Sequence, residues 1–252
     1  MSLPLTVFLP TLNEAEGLRV LLPRILAQGP AQVIVSDGDS RDETREVAAS
    51  HGVEVYVQKR RGIRHAYTEA WPLITQPHVV TMSPDGNCIP EDIPRVFAKL
   101  QEGYDMVVAS RYGEGAGSED DDLLTGFGNW LFTSTANLLF GHRYADAMGI
   151  YRGYRTHLFY EMGLDCDEAY AYAETLFFTR IGIEPLLSVR AAGTGCRISG
   201  IGSPEPRRIA GERKLQIFRW GAAYYTQFLV EFVRLRILRR SFKISGEPPV
   251  AP

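Results

Sequence analysis

Asp85 and Asn87 stand two residues apart in the stretch VVTMSPDGNCIPEDI, residues 79–93. A carboxylate and an amide oxygen on one turn are hard donors. They suit Mg²⁺ or Mn²⁺, cations that leave coordination positions for water and phosphate oxygens. Asp-Gly-Asn is also an ordinary turn, so the pair alone does not establish a metal site. Similar chemistry follows two other apolar runs: Asn13-Glu14 after Leu5–Leu9, and Asp37-Gly38-Asp39 after Gln32–Val35. Each of these polar groups could serve merely as a helix cap or an Asx turn. Basic groups accompany them, in Lys59-Arg60-Arg61-Gly62-Ile63-Arg64 and at Arg111. Arginines beside a helix N-terminus make an anion site, although a solvated charge cluster reads the same way.

The elements that must position these groups are legible in the first half of the chain. Strands are predicted at Leu5–Leu9, Gln32–Val35, Val53–Val57, Val79–Met82 and Met106–Ala109. Helices are predicted at Ala15–Ala27, from Ser40 through about Ala49 (with Gly52 as its stop), at Ile63–Ile74 and at Pro90–Gln101. Strict β-α alternation implies a mostly parallel sheet covered on both faces, with the strand ends converging on one edge. Beyond Arg111 the pattern changes. Tyr112–Gly126 reads as a long, mobile, acidic loop, followed by a helix at Asn129–Phe140 and a strand at Ile150–Tyr154. A helix at Glu184–Ala192, a strand at Arg197–Ile201, a loop at Gly202–Glu212 and a last element from Lys214 to Arg240 complete the reading.

Composition narrows the class. The chain has 252 residues, 45% of them hydrophobic and 23% charged, as in an ordinary globular protein. A net charge of −3 gives no argument for a nucleic-acid partner. Three cysteines without CxxC spacing speak against a disulfide framework or a zinc site and fit a reducing compartment. The start lacks a basic n-region, and no run of about 18 apolar residues occurs, so neither a signal peptide nor a membrane span is expected.

Taken in order, the motifs resemble those of the family 2 inverting glycosyltransferases of the GT-A fold, in the dolichyl-phosphate mannose synthase-like branch. LPTLNE (9–14) resembles the opening P-x-x-N-E, and SDGDSRDET (36–44) the turn that contacts the nucleotide base. RGIRHAYTEA (61–70) resembles the segment flanking the ribose and phosphate pocket. PEDIPRV (90–96) and DMVVASRY (105–112) match the stretches around the metal site and after the fifth strand. DAMGIYRGYR (146–155), GIEPLLSVRAAGTGCRI (182–198) and RIAGERKL (208–215) resemble three later segments. Three departures stand out: the family's D-x-D is here Ser83-Pro84-Asp85, Asn87 occupies a place where members often have Gln, and Arg213 replaces a usual Ser.

The resemblance implies a glycosyltransferase domain over 1–212, with a nucleotide-binding half at 1–112 and an acceptor-side half at 113–212, and a C-terminal helix and tail at 213–252. It implies a UDP- or GDP-linked sugar donor, inversion at the anomeric carbon, and a polyprenyl phosphate or another glycosyl acceptor. The expected nucleotide-sugar set is Pro10, Asn13, Glu14, Asp37, Asp39, Arg64 and Asp85, with Asp37 and Glu14 on base and ribose. Arg111, Arg208 and Lys214 are the expected phosphate ligands, and Asp85 with Asn87 the ligands of Mg²⁺ or Mn²⁺. Asp85 and Glu184 are the candidate catalytic residues. A phosphate acceptor needs no general base, whereas a hydroxyl acceptor would use Glu184 or an acid of Glu119–Asp122, a run that otherwise reads as solvated loop.

The C-terminal helix has two open readings. Trp220, Tyr224, Phe228 and Phe232 recur every four residues among many basic residues, so 213–243 could lie on a membrane surface or pack against protein, including a second copy. The expected location is the cytoplasm, free or peripheral on the inner face of the membrane. A sugar-nucleotide pyrophosphorylase would need a Gly-rich basic loop where PTLNEAEG stands, and a non-catalytic nucleotide-sugar-binding scaffold is the remaining alternative.

Overall fold

The computed structural model of the chain describes residues 2–209 and 217–238. Seven strands form one sheet: β1 (Leu3–Thr11), β2 (Pro30–Asp37), β3 (Glu54–Val57), β4 (His78–Thr81), β5 (Met106–Ser110), β6 (Arg152–Arg155) and β7 (Ile198–Gly202). Their order is β3-β2-β1-β4-β6-β5-β7. β6 runs antiparallel to β4 and β5, and the other pairings are parallel. The expected mostly parallel α/β sheet is present. Because β6 lies between β4 and β5, the sheet is continuous across the change of pattern near residue 112.

Alternation along the strands sends side chains to two cores. Leu5, Val7 and Leu9 enter one with Val80, Val107 and helices α1 (Ala15–Ala27), α2 (Thr44–Ser50) and α4 (Ile93–Gln101). Phe8, Val79, Met106 and Val108 enter the other with α3 (Ile63–Ala70) and the later helices. Trp71 anchors that second core, stacked on Phe159 at 4.2 Å and on Tyr154 at 5.8 Å between ring centroids. Burial of such a side chain contributes roughly 1.5–3 kcal/mol.

Several boundaries differ from the sequence reading. The third helix ends at Ala70, and Trp71–Leu73 is a 3-10 turn around Pro72. Pro90–Asp92 is likewise a 3-10 turn ahead of α4. Helix α5 spans Leu123–Phe140 rather than starting at Asn129, because Asp122 and Thr125 form a reciprocal capping box. The acidic loop is correspondingly shorter, and it is tied to the segment after β7 through Ser118 and Glu205. Helices α6 (Leu158–Glu161) and α7 (Glu168–Phe177) were not expected, and α8 runs Glu184–Thr194 to a left-handed Gly195.

The last described elements are α9 (Ile217–Phe232) and a π-helical turn at Val233–Ile237. The aromatic stripe faces inward. Phe228 and Tyr224 belong to the second core, with Trp220 and Phe232 packed against it. That is the protein-packing reading of the stripe. Among the described residues no helix is long and apolar enough to cross a membrane.

Candidate active site

The post-strand loops meet at the carboxyl edge of the sheet, and their backbone is laced together before any ligand arrives. Gly38 donates its N–H to the Thr11 carbonyl at 2.8 Å, and Asn13 Oδ1 accepts the Arg41 N–H at 2.8 Å. Ser40 Oγ, Thr44 Oγ1 and Asp42 Oδ2 accept the N–H groups of Asn13, Glu14 and Ala15. Glu14 makes no side-chain cap to α1, so the turn after β2 supplies the capping instead. Burial opposes the Asp42 charge, yet hydrogen bonds from Thr44 and the Ala15 amide hold its carboxyl below the usual carboxylate range. Ser40, Asp42 and Thr44 are therefore scaffold, and Gly38, Asp39 and Arg41 are left facing the cleft. Asn13 and Asp39 reach these positions with left-handed φ of 54° and 68°.

The cleft has two lobes. The first, of about 960 Å³, is lined by Pro10, Asn13, Glu14, Asp39, Arg41, Arg61 and Arg180, among others. The second, of about 450 Å³, is lined by Asp85, Asn87, Arg111, Glu184, Glu205 and Arg208, among others. They join at Glu14, Ile63, Ser83, Ile150 and Trp220, which line both. The volumes lie in the range of cofactor-sized sites.

Close backbone approach fixes the Asp85 loop. A Cβ on Gly17 of α1 would stand 2.1 Å from the Pro84 carbonyl oxygen, so only glycine lets α1 press on this turn. Asp85 is 8% exposed; its Oδ1 accepts the Asn87 N–H at 3.3 Å, and its Oδ2 lies 3.7 Å from Arg208. Asn87 donates Nδ2 to Glu205 at 3.1 Å, and its Oδ1 accepts from the Cys88 thiol at 3.5 Å.

Among the described residues, two arginines contact the carboxylates around this loop. Arg111 contacts Glu205 at 2.8 Å and Asp121 and Asp146 at 3.5 Å. Arg208 contacts Asp120 at 2.7 Å and Asp85 at 3.7 Å. Among the described residues, five carboxylates thus meet these two guanidinium groups. Burial opposes the Arg111 charge, but Asp146 and Glu205 raise its pKa above the ordinary arginine value; the Asp120 hydrogen bond does the same for Arg208. A cluster of carboxylates of this kind suits a divalent cation. Among the described residues, no group of three or more His, Cys, Asp or Glu could hold one unaided. The donor set fits a cation shared with ligand phosphates.

Glu184 opens α8 and accepts the Tyr67 hydroxyl hydrogen at 2.7 Å. A Cβ on Gly182 would stand 2.4 Å from Glu184 Oε2, so the glycine makes room for the carboxylate. Burial and the adjacent Glu184 raise the phenols of Tyr67 and Tyr224 well above their usual range.

The expected residues divide as follows. Pro10, Asn13, Glu14 and Asp39 line the first lobe; Asp85, Asn87, Arg111, Glu184 and Arg208 line the second. Asp37 is fully buried and does not line the cleft; its Oδ2 accepts the Ser40 N–H, while Oδ1 has no hydrogen-bond donor among the described residues. Arg64 is a correction. It is 2% exposed, bonded to Glu174 and Asp167 and set over the Tyr170 ring, so it ties α3 to α7 rather than facing a ligand. Lys214 and Arg213 lie outside the described residues. The acid run is also corrected: Asp120 and Asp121 pair with arginines, and Asp122 caps α5.

Sequence reasoning missed Arg41, Arg180 and Glu205. Only the last had a spatial role that no local pattern could announce, since its partners Arg111 and Asn87 lie 94 and 118 residues away.

The pattern described as glycosyl transferase family 2 matches residues 6–163. Glycosyltransferase AglJ of Haloferax volcanii is 28% identical over 226 residues, covering 88% of this chain and 69% of the relative. The dolichyl-phosphate hexose transferase of the same organism is 30% identical over 221 residues, covering 87% and 90%. In fold, the chain is similar to glucosyl-3-phosphoglycerate synthase of Mycobacterium tuberculosis, solved with Mn²⁺ and UDP-glucose. That match has a TM-score of 0.59 at 17% identity and covers 90% of this chain and 78% of the other.

Proposed function

The chain belongs to glycosyl transferase family 2, and on that premise we propose that it moves a sugar from a UDP- or GDP-linked donor to a polyprenyl phosphate, with inversion. The observation that carries this reading is the junction of the two lobes at Glu14, Ser83 and Ile150, beside Asp85 and two arginines. A nucleotide in the first lobe would place its diphosphate there. The polyprenyl acceptor is supported by the similarity to a dolichyl-phosphate hexose transferase. We read 1–212 as the catalytic domain, with 1–112 serving the donor and 113–212 the acceptor, and 213–252 as an appended helix and tail.

In this mechanism an acceptor phosphate oxygen attacks the anomeric carbon from the face opposite the diphosphate. The bond to the diphosphate breaks, and the nucleoside diphosphate leaves with both electrons. A Mg²⁺ or Mn²⁺ ion held by Asp85 and Asn87 would offset the negative charge that builds on the leaving group. Arg111 and Arg208 would orient the phosphates of acceptor and donor, exchanging their carboxylate partners for phosphate oxygens. Asp39, which lines the first lobe, is the group we assign to the nucleobase, with Glu14 on the ribose, while the buried Asp37 holds the turn through the Ser40 N–H. An anionic phosphate needs no base, so Glu184, held by Tyr67, would shape the acceptor lobe; a soluble hydroxyl acceptor would instead require Glu184 as base. Contact of 213–243 with the inner face of the membrane, or with a second copy, would use the side of α9 that its aromatic stripe leaves uncovered.

A thermal-shift panel of UDP, GDP and their sugar conjugates, with and without Mn²⁺, tests the donor site. Stabilisation by one nucleotide, greater with metal, is expected; indifference to all of them would favour a scaffold role.

A further inference from the structure

Glu205 lies in the loop after β7, between Pro204 and Pro206, and the backbone fixes its place. Its N–H donates to the Gly117 carbonyl, and its own carbonyl accepts the Glu119 N–H, both at 2.8 Å. Two residues earlier, Ser203 donates its N–H to the Ser110 carbonyl at 3.0 Å. The loops after β5 and β7 cross so closely that a Cβ on Gly202 would stand 2.2 Å from the Glu114 carbonyl oxygen. The flanking prolines restrict φ on both sides, so the loop has less freedom to lose when it settles here. The fold therefore delivers one carboxylate, 12% exposed, to one spot in the second lobe.

At that spot the carboxylate joins three loops. Arg111, just after β5, donates Nη1 to both its oxygens at 2.8 and 2.9 Å, and the Ser118 hydroxyl donates from the loop ahead of α5. Asn87, in the turn after β4, donates Nδ2 at 3.1 Å. A carboxylate only accepts, so it decides which end of the Asn87 amide faces it. The oxygen end meets the Cys88 thiol at 3.5 Å, a weak donor that a cation can displace. Ser83 stands where the D-x-D pattern has its first carboxylate, so this turn has one acid, Asp85, followed by an amide. A small ligand set gains most from groups that are oriented in advance. On the reading of this cleft as a nucleotide-sugar site, we propose that Glu205 is the positioning residue of the metal turn. It orients the Asn87 amide beside Asp85 and is itself anchored by Arg111, Ser118 and its backbone. The Ser118 and backbone contacts keep it in place when Arg111 turns to a phosphate.

The test is calorimetry on the full chain with UDP and with GDP, each with and without Mn²⁺. The readout is the metal enhancement, the ratio of the nucleotide Kd without Mn²⁺ to the Kd with it. Glu205→Gln keeps the length and removes the charge, whereas Glu205→Asp keeps the charge and shortens the reach. Both should lower the enhancement by about tenfold or more, with the metal-free Kd within about twofold of the wild type and the melting temperature close to it. In an Asn87→Ala background, Glu205→Asp should change the enhancement by less than about twofold, because the group it orients is gone. Glu205→Asp with wild-type enhancement overturns the proposal; a loss confined to Glu205→Gln then assigns the effect to charge alone. A full further loss in the Asn87→Ala background overturns it too, since Glu205 would act on the ion directly. A lowered melting temperature with equal loss of metal-free affinity assigns Glu205 to loop structure and overturns it. A wild type that binds nucleotide regardless of Mn²⁺ overturns the proposal and leaves the donor site standing. A wild type that binds neither nucleotide sinks the donor reading and the proposal together.

Discussion

Arg208 stands 3.7 Å from the Asp85 carboxylate, so the candidate metal ligand already has a fixed positive charge beside it. A cation entering alone must compete with that guanidinium. A cation entering with a diphosphate need not, because phosphate oxygens give Arg208 a new partner.

Metal binding should therefore be weak without nucleotide and strong with it. Arg208→Ala should tighten Mn²⁺ binding to the nucleotide-free protein in calorimetry, while lowering kcat/KM by about 10- to 100-fold through the lost phosphate contact. An Arg208→Ala protein with full turnover would remove Arg208 from the phosphate site.

Glu184→Gln separates the two acceptor chemistries. With a phosphate acceptor the variant should keep activity within about tenfold of the wild type and show no new pH dependence. A loss of about 10²- to 10⁴-fold would mark a general base and a hydroxyl acceptor. Tyr67→Phe should give a smaller effect in the same direction, because its hydrogen bond holds the carboxylate in place.

Arg64 is expected to govern stability rather than donor affinity. Burial opposes the Glu174 charge, but hydrogen bonds from Arg64 and Arg180 hold its carboxyl below the ordinary range; Asp167 is lowered despite its burial by Arg64 and Arg60. Lowered folded-state values stabilise the protein above the unfolded carboxylate range, and that contribution is lost as pH falls through the folded values. Arg64→Ala should cost roughly 3–5 kcal/mol at neutral pH in denaturant melts. Its deficit against the wild type should shrink in acid. A donor KM that rises without loss of stability would return Arg64 to the cleft.

The thiols give a check on packing. Burial raises the Cys196 thiol to about 11 and raises the buried Cys88 as well, while Cys166 is exposed. Iodoacetamide at mildly alkaline pH should label Cys166 in the native protein, and the other two only after unfolding. Native labelling of Cys88 would mean that the turn after β4 opens freely.

The first half of the fold was readable because each strand through β5 is a short apolar run closed by turn residues and followed by a helix. β6 was also read as a strand, but the place of Arg152 in it was not: it looks like a surface residue yet is fully buried, its guanidinium bonded to the Gly149 and Glu184 carbonyls and to Ser188. Asp85, Asn87, Arg111 and Arg208 could be named from local motifs that happen to meet in space. Arg64 could not be placed, since its carboxylate partners come from α7 and the residue before it, 110 and 103 residues away, and nothing local announces them.

The most direct measurement is transfer of label from radioactive UDP- and GDP-sugars to a polyprenyl phosphate, run with wild type and Asp85→Ala, with Mn²⁺ and with chelator. The account predicts a labelled lipid from one donor, reduced about 10²- to 10³-fold both by chelation and by the substitution, with the fold of the variant intact. Lipid product that forms equally well without metal or without Asp85 would contradict it, as would the absence of lipid product from every donor.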